Sequence, residues 1–133
     1  MQHDPRRNTL RKKERLSERK SIEDIFDKGK SIVEHPIRML WMINFKESPE
    51  PVRAAFAVPS KNFKRAVDRN LLKRRMREAY RKNKTLLLNV IQEKKSECLI
   101  MFIYTEKRIT SYTEIESKIV VTLQRLTQQA SDK

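Results

Sequence analysis

Eleven of the residues between positions 61 and 84 are lysine or arginine, and two are acidic. The cations are Lys61, Lys64, Arg65, Arg69, Lys73, Arg74, Arg75, Arg77, Arg81, Lys82 and Lys84; the acids are Asp68 and Glu78. This stretch carries a net +9 of the chain's +14. Such a density of one sign attracts a polyanion, and nucleic acid is the default partner. Arginine suits the task because its planar fork meets phosphate oxygens two at a time. The remaining reactive side chains point away from catalysis. Asp4, Asp24, Asp27, Asp68 and Glu78 are scattered, whereas two-metal phosphodiester cleavage by a protein needs clustered carboxylates. His3 and His35 are 32 residues apart and form no pair. Cys98 is alone, which excludes a disulfide framework and a Cys-rich zinc site. Gly29 is the one glycine, so no Gly-rich loop cradles phosphates. No residue is expected to be catalytic, and none to hold a metal.

These charges need an element to present them. At about 100° per residue, a helix from about Val67 to Val90 gathers Leu72, Met76, Ala79, Leu86 and Val90 on one side. Asn70, Lys73, Arg74, Arg77, Arg81 and Lys84 fall opposite. An ordinary solvated helix interleaves its signs; this exposed face is nearly all positive and repels itself unless a polyanion compensates. Tyr80 lies between the two faces and is expected to pack.

The flanking segments supply a scaffold. Residues 1–16 carry six cations with little apolar content, and read as a flexible arm, either merely solvated or ordering on phosphate. Ser21 with Asp24 resembles a helix cap, Ile22, Ile25 and Phe26 follow helical spacing, and Gly29 ends a helix over about 21–28. Pro36 to Phe45 alternates as a strand, with Ile37, Met39, Trp41, Ile43 and Phe45 on one face. Residues 46–51 form a loop. A strand over Arg53–Val58 is expected to pair antiparallel with its predecessor. Glu97–Tyr104 reads as a buried strand containing Cys98. Ser111 caps a last helix, with apolar positions at Ile115, Ile119, Leu123 and Leu126. The order is helix, two or three strands, helix, strand, helix, in one domain over 17–130. The longest apolar run is seven residues, too short for a membrane span, and no signal segment follows the basic start. A cytoplasmic protein is expected. Charge and composition leave three possibilities: an RNA-binding subunit, a ribosomal or RNA-chaperone protein, and a basic nuclease that the scattered acids disfavour.

The motif Ala66-Val67-x-Arg69-Asn70-x-x-Lys73-Arg74-x-x-Arg77-Glu78 closely resembles the signature of the bacterial ribonuclease P protein component. The resemblance extends from Arg15-Leu16 through Ile25-Phe26 and Gly29 to the final strand and helix, over roughly residues 10–128. Leu71 stands where many members have arginine, and Phe63-Lys64 where many have a glycine. The resemblance implies an α+β fold: a two-layer α/β sandwich like the second domain of a small-subunit ribosomal protein, ordered αβββαβα with a left-handed βαβ crossover. It implies a monomeric protein that assembles with a catalytic RNA and precursor transfer RNA, in an enzyme that removes the 5′ leader by metal-dependent hydrolysis, with Mg2+ held mainly by the RNA. Lys61, Lys64, Arg65, Arg69, Asn70, Lys73, Arg74, Arg77 and Arg81 would then contact the catalytic RNA. Phe26, Trp41 and Lys61 would contact the leader, with Trp41 equally open to a place in the core.

Overall fold

The computed structural model describes residues 12–132. Eight elements follow a short 3-10 turn at Lys12–Glu14: α1 (Arg19–Lys28), β1 (Lys30–Glu34), β2 (Ile37–Asn44), β3 (Val52–Ala57), α2 (Ala66–Asn83), α3 (Thr85–Glu93), β4 (Glu97–Tyr104) and α4 (Tyr112–Ser131). The architecture is the expected mixed α+β sandwich built on one four-stranded sheet, in the order β1-β2-β4-β3.

Alternation along the strands sorts the core into two parts. Met39 and Trp41 of β2, with Ile100 and Phe102 of β4, meet Leu72 and Met76 of α2, Ile91 of α3 and Ile115 and Leu126 of α4. The intervening residues Leu40, Leu99 and Met101 point the other way, onto Ile25 of α1 and Leu16. Three helices therefore cover one face of the sheet, and α1 covers part of the other.

Four expectations change. β3 does not pair with β2; it pairs parallel with β4, in register Val52↔Cys98 to Ala57↔Ile103. Alternation reveals which face a strand buries but not which neighbour it takes. β4 pairs antiparallel with β2 on its other edge, and almost wholly buried residues fit that central place. The third strand, β1, lies at Lys30–Glu34 and turns into β2 at His35-Pro36. The single long helix is two, broken at Lys84. The break changes the phase, so Leu87 and Ile91 are buried while Leu86 is 62% exposed.

The third change is the start of α1, which begins at Arg19 after Glu18; Ser21 lies inside it and does not cap it. Gly29 does follow α1, but with φ −71°, so no left-handed turn calls for it. Its reason is space: a Cβ there would stand 2.4 Å from the Ile25 carbonyl oxygen and 3.2 Å from that of Trp41. Ser111 caps α4 as expected, its Oγ accepting from the Glu114 N–H at 3.2 Å.

The fourth change concerns the arm expected over 1–16. Its first eleven residues lie outside the described residues. Arg15 bridges Ala54, the Leu16 N–H donates to the Ala54 carbonyl at 2.8 Å, and the Glu14 carboxylate pairs with Lys84. Lys12–Leu16 thus dock on the free edge of β3, because Leu16 has an apolar seat there and Glu14 a buried cation.

Candidate nucleic-acid interface

The approach to α2 is built first. After β3 the chain turns at Pro59, whose carbonyl accepts from the Asn62 N–H at 3.2 Å. Phe63 then inserts into the core, its ring 5.8 Å from that of Tyr104. Burying Phe63 leaves Lys61, Lys64 and Arg65 exposed on either side of it. Arg69, one turn into α2, reaches back: its Nη1 donates to the carbonyls of Phe63 at 2.7 Å and Lys64 at 2.9 Å. Arg69 therefore holds the basic turn against the helix, a role that its spacing in the signature did not disclose.

Along α2, Leu72, Met76, Ala79 and Tyr80 are buried. Tyr80 packs as expected, edge-on to Phe56 at 5.9 Å and tilted against Phe102 at 5.7 Å. Asn70 and Arg74 are exposed, and Lys73 and Arg77 are half-buried. The Arg77 guanidinium lies over the Phe56 ring, its central carbon 6.0 Å from the ring centre, so the charged head itself is held at the side of β3. The structure thus brings together Lys61, Lys64, Arg65, Asn70, Lys73, Arg74 and Arg77 along one turn-and-helix surface.

Other cations of the same stretch are engaged within the fold. Arg81 donates to both Glu78 carboxylate oxygens, at 2.8 and 2.6 Å. That hydrogen-bonded pair holds the Glu78 carboxyl below its usual range and raises the Arg81 guanidinium. Arg75 donates to the Thr110 carbonyl and ties α2 to the start of α4. Lys84, assigned by helical phase to the basic face, is buried against Glu14; the break between α2 and α3 turns it inward.

The two aromatic candidates part company. Phe26 projects from α1, 58% exposed, above buried Ile25. Trp41 is 4% exposed and belongs to the core on the opposite face of the sheet. They do not form one platform. On the α1 face, register aligns Val33, Arg38, Ile103 and Ala57 in a row across the four strands. Val33 and Arg38 are exposed; Ile103 and Ala57 are half-buried. This open row beside α1 was not singled out in the sequence. Its signal was there in the alternation of β2, which sets Arg38 and Leu40 opposite Trp41.

Among the described residues no three His, Cys, Asp or Glu side chains come together to hold a metal ion. No cluster of carboxylates among the described residues therefore fits Mg2+. Glu97 accepts from Asn44 at 2.9 Å and lies near Lys46 and Arg53, at 3.6 and 3.8 Å. Burial pushes the Cys98 thiol and the Tyr80 phenol far up, so neither supplies a nucleophile near neutrality. No helix among the described residues is long and apolar enough to cross a membrane. The arrangement can bind: cations in a line, one amide among them, and an apolar row with a single arginine on another face.

Comparison with known proteins agrees over nearly the whole chain. A family model described as Ribonuclease P matches residues 10–127. The ribonuclease P protein component of Porphyromonas gingivalis is 34% identical over 117 residues, covering 88% of this chain and 85% of that one. That of Chlorobium phaeobacteroides is 38% identical over 93 residues, covering 68% and 64%. Among solved structures, the RNase P protein from Thermotoga maritima superposes with a TM-score of 0.66 at 26% identity, covering 84% of this chain and 96% of that one. The RNase P protein of Staphylococcus aureus has the same fold, with a TM-score of 0.65 at 21% identity over 85% and 94%.

Proposed function

This chain belongs to the ribonuclease P protein family, a subunit of a ribonucleoprotein enzyme of transfer RNA processing, and we propose that its part is to bind two RNAs while the RNA subunit performs the hydrolysis. The first is the catalytic RNA, met by Lys61, Lys64, Arg65, Asn70, Lys73, Arg74 and Arg77. Arg69 supports them from behind, and Arg81 joins them one turn beyond Arg77, beside Glu78. The second is the 5′ leader of precursor transfer RNA, gripped as a single strand by Phe26, Lys61 and the row of Val33, Arg38, Ile103 and Ala57. Aromatic and apolar surface beside positive charge is the usual grip on a single strand. Trp41 is left to the core.

The observation that carries this reading is the predominantly cationic exposed face of α2, in which Glu78 is matched by Arg81, continued into its preceding turn. Neutralising crowded phosphates there raises the occupancy of Mg2+ held by the RNA, without a protein ligand. The protein acts in the cytoplasm and as a monomer apart from its RNA.

The test is cleavage of precursor transfer RNA in Mg2+ at moderate salt, with the protein alone, the catalytic RNA alone, and both. Protein alone gives no cleavage, and protein added to RNA increases it. Cleavage by protein alone, or no effect of protein on the RNA reaction, would falsify the assignment.

A further inference from the structure

A cavity of about 270 Å3 opens where β2, α3 and α4 end, at the opposite end of the sheet from the Pro59–Lys64 turn. Trp41, Ile91 and Phe45 give it an apolar lining, and Lys28, Lys30 and Lys94 give it charge. No aspartate or glutamate is among its described lining residues. Phe45 lies just beyond the end of β2 and is 79% exposed, an unusual place for a large ring that alternation would assign to the core. Lys30 Nζ stands 5.5 Å from the centre of the Trp41 ring.

These features ask for two things at once. An exposed ring beside an apolar hollow asks for a flat apolar body. A cationic rim asks for an anion. An apolar peptide segment meets the first alone, and a simple anion only the second. An unpaired nucleotide meets both: its base has a face to stack, and its phosphate meets the lysines.

We propose that this cavity takes one unpaired nucleotide of single-stranded RNA, a contact separate from α2 and from the open sheet row. The proposal rests on the RNA-binding function proposed above, and it gives that function a second anchor at the far end of the molecule.

Trp41 is the only tryptophan of the chain, so its emission reports on the cavity. The full chain is titrated with a short, end-labelled single-stranded RNA, following RNA anisotropy and Trp41 emission together. Adenosine monophosphate and anionic phosphatidylglycerol vesicles are titrated in parallel. RNA changes Trp41 emission saturably, and Phe45→Ala raises the midpoint by about fivefold or more, the low end for one stacked base. Because Phe45 is exposed, that variant keeps its fold, which circular dichroism checks. A Trp41 response to the mononucleotide at the same midpoint also supports the site and makes free nucleotides its source. RNA bound by anisotropy with Trp41 silent, or a midpoint indifferent to Phe45→Ala, overturns the site and leaves RNA binding by α2 standing. Absence of binding by either signal overturns both. Emission that answers to vesicles and not to RNA overturns the site in favour of a lipid surface.

Discussion

Two arginines of the signature, five positions apart, do different work. Arg74 projects from the exposed side of α2, while Arg69 spends its Nη1 on two carbonyls of the turn before the helix. Arg74→Ala is expected to reduce the slope of log K against log salt by about one unit and leave stability nearly unchanged. Arg69→Ala is expected to cost about 1–3 kcal/mol in urea unfolding, from two hydrogen bonds made by a charged donor in a partly exposed place. Its assembly defect then exceeds what one lost phosphate contact explains. Equal slopes and equal stabilities for the two variants would show that the turn holds its shape without Arg69. Gly29 is a second residue whose role is steric. Gly29→Ala must push a Cβ off the Ile25 carbonyl, and should destabilise by about 1–3 kcal/mol, as overpacking does. A melting curve matching the parent protein would mean that α1 shifts freely on β2.

At the scale of elements, the decisive feature is the break at Lys84. It ends the basic helix, redirects α3, and buries an amine against the carboxylate of Glu14, 70 residues earlier in the chain. Removing one partner of a buried ion pair leaves the other uncompensated, at about 3–5 kcal/mol. Glu14→Gln is therefore expected to lower urea stability by about that much, and Glu14→Leu with Lys84→Met together to recover most of the loss. A double variant as unstable as the single one would show that the pair acts through shape rather than charge. What the sequence made legible follows the same division. Periodicity located α1, β2, α4 and the basic face of α2, because each is a local pattern. It set Trp41 on one face with Ile37 and Met39 but left the core and the leader equally open, and the structure puts it in the core. It missed the turn at Lys84, since a lysine in phase with Arg77 and Arg81 looks exposed until a carboxylate from elsewhere arrives. It missed the parallel partner of β3 for the same reason: pairing is a long-range fact with no local signature. Arg69 matched the signature by type and spacing, but its hydrogen bonds to a turn could only be seen in three dimensions.

For the whole molecule, charge and shape are separated. Three helices and the sheet form an apolar body, and six cations of the proposed RNA surface (Lys61, Lys64, Arg65, Lys73, Arg74 and Arg77) lie along one turn and one helix. If each neutralises one phosphate, assembly with the catalytic RNA should show a salt slope of about −4 to −5. A slope near zero would mean that shape, not charge, carries the affinity. The position of β4 has a different consequence, which concerns the order in which the protein is made. β4 is the last strand in sequence and the one that joins β2 to β3. A chain leaving the ribosome therefore exposes all six cations of the proposed RNA surface before β4 is there to join β2 to β3. Translation past Tyr104 closes the sheet from both sides in one event. The proposed RNA surface is thus completed late, and a nascent chain halted before Glu97 has its six cations without their geometry.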